Sequence, residues 1–240
     1  MRQIFYEFPW VHAPASSAFL PLFQRYGHFE RLKAGQAIYN GGIEGEVAWI
    51  LSGLCVFQTG DTHDRPQFFT LVPANRLMGN VDGYTGAVVN ITDIALRTTE
   101  VLLMSRHSFL SLIHRDLVLN DEHTTMLVRE HESDMEGFFS AIHDRVEVRI
   151  ARLFASLIFR DELRLTFNWN KAVANFVPTP IPYDLSITEI ARTISATRTA
   201  VSLIMNDWLR AGVLVEKDGK RLITQALLSY ANDWLASPGK

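Results

Sequence analysis

Cysteine is nearly absent from this sequence, since Cys55 is the only one among 240 residues. An internal disulfide is therefore excluded, and so is an iron–sulfur or multi-cysteine zinc site built by one chain. Such low cysteine usage fits the reducing cytoplasm. Apolar runs are also short, and none reaches the roughly 18 residues that a membrane helix requires. We expect a cytoplasmic protein with no membrane partner.

Signatures of catalysis are missing as well. The sequence contains no phosphate loop of the form G-x-x-x-x-G-K-S/T, no nucleophile elbow and no His-Glu-x-x-His motif. The glycine-rich stretch from Gly79 to Gly86 lies among predicted strands, where turns explain it better than a nucleotide loop does. We expect no enzymatic activity, no catalytic residue and no metal ligand.

Charge is divided unevenly along the chain. Residues 1–144 hold 10 Lys and Arg against 17 Asp and Glu, a balance of −7. Residues 145–240 hold the remaining 13 against 9, a balance of +4. A basic C-terminal part beside an acidic N-terminal part predicts that the C-terminal part alone contacts phosphate.

Residues 28–105 have the pattern of short strands. Apolar runs such as Val47–Leu51 and Val101–Met104 alternate with turn residues such as Ser52-Gly53 every 8–12 residues. This spacing is typical of a small all-β barrel or sandwich.

A long helix is predicted next, because residues 116–159 contain no proline and a single glycine, Gly137. Apolar residues recur there in seven-residue steps and form an imperfect heptad seam, which is typical of a dimer interface. The predicted dimerisation residues are Leu117, Thr124, Val128, His131, Met135, Phe138 and Ile142.

The C-terminal part contains a predicted helix-turn-helix. Ser186-Ile187-Thr188-Glu189 has the spacing of a capping box at the start of a short helix. A turn at Ser195-Ala196 leads to a second helix that Thr197 caps. The positions that such a motif buries are all apolar. They are Ile190, Ile194, Ala196, Val201 and Ile204.

A β-hairpin is predicted directly after the second helix. Gly212 ends that helix, and Asp218-Gly219 is a strong hairpin-turn signal between two apolar runs. A hairpin in this position is a wing, and Lys217, Lys220 and Arg221 near its tip can contact the phosphate backbone.

The order of these parts resembles the Crp/Fnr family of bacterial transcription regulators. The resemblance covers about residues 28–225, including Ile38-Tyr39-Asn40-Gly41, Trp49–Gly53, Leu77-Met78-Gly79 and the stretch from Ile187 to Leu214. It implies an α+β protein with a jelly-roll-like β-roll sensor domain, a long dimerisation helix and a winged helix-turn-helix. The corresponding ranges are 1–115, 116–145 and 146–240.

The resemblance also implies a homodimer that binds a palindromic site in double-stranded DNA and, if it activates transcription, contacts RNA polymerase. Family members carry a Glu and, four residues on, an Arg that read bases, whereas this sequence has Thr199 and Leu203 there. We therefore expect an unusual half-site, richer in A·T; the alternative is a sensor with degenerate DNA binding. The candidate DNA-binding residues are Ser186, Thr188, Thr197, Arg198, Thr199, Ser202, Lys217, Lys220 and Arg221.

A small organic effector is expected between the β-roll and the long helix. Cyclic AMP is disfavoured, because the stretch that matches the family's phosphate cassette has no arginine. No cofactor is required, although a heme-based sensor of nitric oxide or carbon monoxide is an alternative, with His123 and His131 as candidate ligands. The candidate effector contacts are Gly79, Asn80, Tyr84, Asn90, Thr92, Met126, Glu130 and Asp134.

Overall fold

The computed structural model describes Tyr6 and residues 8–38, 45–59, 67–79, 91–161 and 167–236. The chain forms two compact units. The β unit comprises His12–His131, and the C-terminal unit comprises Met1–Val11 together with Glu132–Lys240. The boundary lies inside one helix of 27 residues, Leu117–His143. These bounds differ from the predicted division, because the second half of that helix and the segment before His12 group with the C-terminal residues.

Short strands between residues 28 and 105 form the frame of the β unit. They are β1 (His28–Leu32), β2 (Ala37–Ile38), β3 (Glu46–Ser52), β4 (Leu54–Thr59), β5 (Phe68–Pro73), β6 (Leu77–Met78), β7 (Ile91–Ala95) and β8 (Thr99–Ser105). Two antiparallel sheets result, in the orders β1-β8-β3-β6 and β2-β7-β4-β5. Gly53 joins β3 to β4 with φ +97°, and a Cβ there would lie 2.5 Å from the Thr99 Oγ1. The turn therefore requires glycine.

Both faces of the first sheet are covered. On β3, Ala48 and Ile50 belong to the apolar cluster shared by the two sheets, whereas Val47 and Trp49 belong to a second cluster. This alternation follows from the two-residue period of a strand. Helices α1 (Leu20–Tyr26), α2 (Arg106–Ile113) and α3 (Leu117–His143) contribute to the second cluster. Their side chains in it are Phe23, Phe109, Ile113 and Met126.

Helix α4 (Val146–Ile158) forms the core of the C-terminal unit. It packs against α8 (Gln225–Ala236), which in turn contacts α5 (Trp169–Ala174). The buried apolar side chains are Ile150, Ala151, Leu153, Phe154, Ala155 and Leu157 from α4, and Leu227, Leu228, Ala231 and Leu235 from α8.

A winged helix-turn-helix completes this unit. Helices α6 (Ile187–Thr193) and α7 (Arg198–Ala211) are followed by the antiparallel hairpin of β10 (Leu214–Lys217) and β11 (Lys220–Ile223). The short strand β9 (Thr179–Pro180) pairs with β11 and makes a third strand. The predicted α+β class, with a β-roll, a long helix and a winged motif, is confirmed. No helix among the described residues is long and apolar enough to cross a membrane.

Candidate nucleic-acid interface

The start of α6 is held by the predicted capping box. The Glu189 backbone N–H donates to the Ser186 Oγ at 3.2 Å, and the Ser186 backbone N–H donates to the Glu189 Oε2 at 2.7 Å. Two backbone donors that a helix start leaves open are thus satisfied. The Ser186 hydroxyl, a candidate DNA contact, therefore also has a structural role.

Helix α7 has one buried face and one exposed face. Thr197 caps it by accepting from the Ala200 backbone N–H at 3.2 Å, and Gly212 ends it with φ +71°. The buried side chains of α7 are Val201, Met205 and Trp208. Arg198, Thr199, Leu203 and Asn206 are exposed, and Ser202 is half-buried.

The predicted core of the motif is correct at three of five positions. Ile190, Ile194 and Val201 are fully buried, whereas Ala196 and Ile204 are half-buried. Ile204 remains partly exposed because it lines a surface cavity of about 490 Å³ instead of the helix crossing. Trp208, Val213 and Tyr230 lie in the same cavity wall.

The hairpin presents two exposed cations. Asp218 and Gly219 have φ of +52° and +70°, as a type I′ turn requires, and Lys217 and Lys220 flank them. Arg221 is half-buried, and its Nη1 donates to the Leu185 carbonyl at 2.9 Å. Lys217 and Lys220 are thus open to a phosphate, whereas Arg221 also ties the wing to the residue before Ser186.

Arg149 on α4 supports the turn of the motif, which the sequence analysis missed. Its Nη1 donates to the carbonyls of Ile194 at 2.9 Å, Ser195 at 3.0 Å and Ala141 at 3.2 Å. Ser195 has φ +52° at the position where such motifs prefer glycine. The guanidinium therefore connects the last turn of α3 with the strained turn between α6 and α7. Its sequence signal is an arginine among the apolar residues of α4.

A buried ionic cluster lies beneath the junction of α3 and α4. The Arg152 Nη2 donates to the Glu136 Oε1 at 2.6 Å, and its Nη1 donates to the Asp144 Oδ2 at 3.3 Å. Asp144 also accepts from the Ser140 Oγ at 2.6 Å and from the Trp234 Nε1 at 2.8 Å. The Arg152 guanidinium stacks on the Trp234 ring at 4.1 Å. The cluster joins α3, α4 and α8 within the C-terminal unit.

The predicted dimer seam is an exposed stripe along α3. Leu117 is 81% exposed, Phe138 60%, Ile142 58% and Val128 53%. Thr124 and His131 are exposed as well, and Met135 is half-buried. Large apolar side chains repeated on one face of a long helix indicate that another surface covers them.

The candidate effector contacts are placed as follows. Asn80, Tyr84 and Asn90 lie outside the described residues. The Gly79 carbonyl accepts from the Arg106 Nε at 2.9 Å, Thr92 lies on β7 opposite Gln58, and Met126 is in the second apolar cluster. Asp134, on the part of α3 that belongs to the C-terminal unit, has its pKa raised to about 7 by burial.

Glu130 has a neighbour that the sequence analysis missed, His12 in the segment before the roll. The carboxylate is buried, and its Oε1 lies 3.6 Å from the His12 Nδ1. Burial, followed by the charge of Arg76, lowers the pKa of His12 to about 4, so the imidazole is neutral at pH 7. The His12 ring also lies 6.4 Å from the Phe57 ring on β4. Nothing in the local sequence around His12 signals this contact.

The two candidate heme ligands lie in different environments. His123 is fully buried, with the rings of Phe109 and Phe19 edge-on to it at 5.3 and 6.1 Å. His131 is exposed on the stripe of α3. The two histidines thus do not share one environment, since His123 is enclosed by core aromatic rings and His131 is open to solvent. Within the described residues, no three His, Cys, Asp or Glu side chains form a metal site.

Solved structures with the same fold are known. No family model matches the sequence, and no curated protein matches it. Among solved structures, FixK2 from Bradyrhizobium japonicum matches with a TM-score of 0.71 at 13% identity, over 89% of this chain and 99% of that one. A CooA mutant from Carboxydothermus hydrogenoformans matches with 0.64 at 13% identity, over 92% and 95%. A further match is a transcriptional regulator from Thermus thermophilus that is described as a member of the CRP/FNR family, with a TM-score of 0.63 at 16% identity over 85% of this chain and 98% of that one. At these identities the likeness concerns the fold.

Proposed function

We propose that this chain, which has the fold of the Crp/Fnr regulators, is an effector-responsive transcription regulator that binds a palindromic DNA site as a homodimer. One observation carries the proposal. Helix α7, with the exposed Arg198 and Thr199 and the half-buried Ser202, precedes a wing whose tip presents Lys217 and Lys220. A helix of this kind enters the major groove, while the wing cations contact phosphates.

The charge distribution supports this assignment over an enzymatic one. Residues 145–240 carry the balance of +4, although the whole chain is at −3. The buried Arg152 is paired with carboxylates, so much of the exposed positive charge belongs to groups such as Lys217 and Lys220. The positive balance of residues 145–240, which include the wing, favours contact of this part of the chain with DNA phosphates.

Selection from random double-stranded DNA tests the proposal. We expect the purified protein to enrich a palindrome, and Arg198→Ala to weaken binding to it by about 1–3 kcal/mol if this side chain reads a base. Arg115→Ala removes the same charge at an exposed position of the β unit and serves as the matched control. No enriched sequence would contradict the proposal and favour a sensor with degenerate DNA binding.

The exposure of the apolar stripe on α3 supports dimerisation through this helix. Two copies of the stripe cover each other, and a two-fold axis then sets two α7 helices about 34 Å apart, one turn of B-DNA. We expect the double substitution Phe138→Glu and Ile142→Glu to give a monomer in analytical ultracentrifugation. Thr125→Glu, exposed on the same helix but outside the stripe, is the control. A dimer that survives both glutamates would contradict this interface.

The effector in this proposal is a small organic molecule that binds in the β unit, and no resident cofactor is involved. Thr92 on β7 and the buried Glu130 on α3 supply its polar contacts. Binding there shifts the equilibrium toward the state that binds the effector more tightly, by at most the ratio of the effector's affinities for the two states.

A further inference from the structure

Leu203 is the only large apolar side chain on the exposed face of α7 within the described chain. It is 61% exposed. At 100° per residue it lies about 170° around the helix from the mean direction of Val201, Met205 and Trp208, which are buried. Packing among the residues that the structure describes therefore does not require leucine at this position.

The side chains next to Leu203 on the exposed face of α7 are polar. Thr199 lies one turn before it and Asn206 one turn after it on the same stripe. The nearest carboxylate along the helix, Asp207, accepts from the Arg210 Nη1 at 3.2 Å. An uncharged apolar group is thus centred on the face that the proposed function directs into the major groove.

Only one base offers an apolar group at the major-groove edge, which is the 5-methyl of thymine. We propose that Leu203 is a specificity-determining residue that reads a thymine methyl in each half-site. This inference rests on the proposed function and deepens it. Water is removed from two apolar surfaces when the leucine covers the methyl, and the gain is about that of one buried methyl group.

Uracil substitution tests the contact, because uracil differs from thymine by that methyl alone. In the palindrome enriched by the wild-type protein, each thymine is replaced singly by uracil and the dissociation constant is measured. We expect one position per half-site at which uracil weakens wild-type binding about four-fold, the value for one buried methyl. In Leu203→Ala that four-fold difference disappears, while the other positions respond as in the wild type.

Two further variants are measured, one as a control for the loss of an exposed aliphatic side chain and one to change the base preference. Val177→Ala shortens another exposed aliphatic side chain, 72% exposed and outside the helix-turn-helix, and retains the uracil effect. Leu203→Arg moves the preference at the same position from thymine to guanine, because a guanidinium pairs with the guanine O6 and N7.

The outcomes separate this inference from the proposed function. A palindrome without thymine, a wild-type protein indifferent to uracil at every position, or an undiminished uracil effect in Leu203→Ala overturns the role of Leu203 and leaves the regulator intact. Failure to enrich any sequence overturns the proposed function itself.

Discussion

Arg149 shows how a single side chain holds the geometry of the motif. It is 9% exposed, and its Nη1 serves three backbone carbonyls, two of which belong to the turn after α6. Burial lowers the pKa of this arginine, and the nearby Asp144 opposes that shift. A charged donor makes a strong hydrogen bond to a carbonyl group, and that of Ile194 is buried.

We predict that Arg149→Met destabilises the C-terminal unit by about 2–4 kcal/mol, because the buried Ile194 carbonyl and two partly buried carbonyls lose a charged donor. Denaturant unfolding followed by tryptophan fluorescence measures this, since Trp10, Trp169, Trp208 and Trp234 all belong to that unit. Arg145→Met is the matched control. Arg145 is exposed and pairs with Glu147 at the surface, so its loss changes stability by less than about 0.5 kcal/mol. Equal effects of the two substitutions would contradict the role of Arg149.

At the scale of elements, the second half of α3 is fitted to the segment Phe8–Val11. The Ser133 Oγ donates to the carbonyls of Phe8 at 3.1 Å and Val11 at 3.2 Å. A Cβ on Gly137 would lie 2.9 Å from the Trp10 ring, which is buried. Glycine therefore stands inside a long helix because the indole occupies the space of a side chain.

Gly137→Ala is expected to destabilise the C-terminal unit by about 1–3 kcal/mol, the usual cost of overpacking a filled site. In an exposed helix the same substitution stabilises by about 1 kcal/mol, so the sign is diagnostic. A double-mutant cycle measures it by denaturant unfolding. In a Trp10→Ala background the alanine at 137 should stabilise. A stabilising Gly137→Ala in the wild-type background would refute the contact.

The junction of α3 and α4 is more constrained than a simple hinge. α3 ends at His143 and α4 begins at Val146, so a hinge would be expected at the residues between them. Asp144 nevertheless accepts from Ser140, Arg152 and Trp234. Movement at this junction would break a buried, charge-assisted cluster, which costs several kcal/mol.

At the scale of the whole molecule, buried titratable groups in the two units are expected to change the free energy of unfolding with pH in opposite directions. In the β unit, burial lowers the pKa of both His12 and His123 to about 4, from 6.5. The unfolded chain then binds more protons between pH 6.5 and 4, so the β unit loses stability as the pH falls through that window. In the C-terminal unit, the pKa of Asp134 is raised to about 7 from 3.8, so stability is lost as the pH rises through that range.

Single substitutions separate the pH dependence of the β unit from that of the C-terminal unit. The measurement is thermal unfolding between pH 4 and 7.5. His123→Phe, which keeps an aromatic ring between Phe19 and Phe109, should reduce the acid slope by about 1.4 kcal/mol per pH unit, the value for one proton. Asp134→Asn should remove the decline between pH 4 and 7. If the stability of either variant changes with pH as that of the wild-type protein does, the pKa shift assigned to that residue is contradicted.

Local signals determined much of this protein. The capping box at Ser186, the hairpin turn at Asp218-Gly219 and the apolar alternation of β3 each depend on residues close in sequence, so the winged motif and the roll could be predicted. The heptad stripe of α3 is likewise a periodic signal, and the structure leaves that stripe exposed.

Tertiary structure alone decided which polar side chains serve the site. Arg149 and Ser195 are 46 residues apart, Asp144 and Trp234 are 90 apart, and Ser133 and Phe8 are 125 apart. Periodicity and capping rules act over a few residues and carry no information on such pairs. Burial creates these partners, because a polar group removed from water must find a hydrogen bond wherever the fold supplies one.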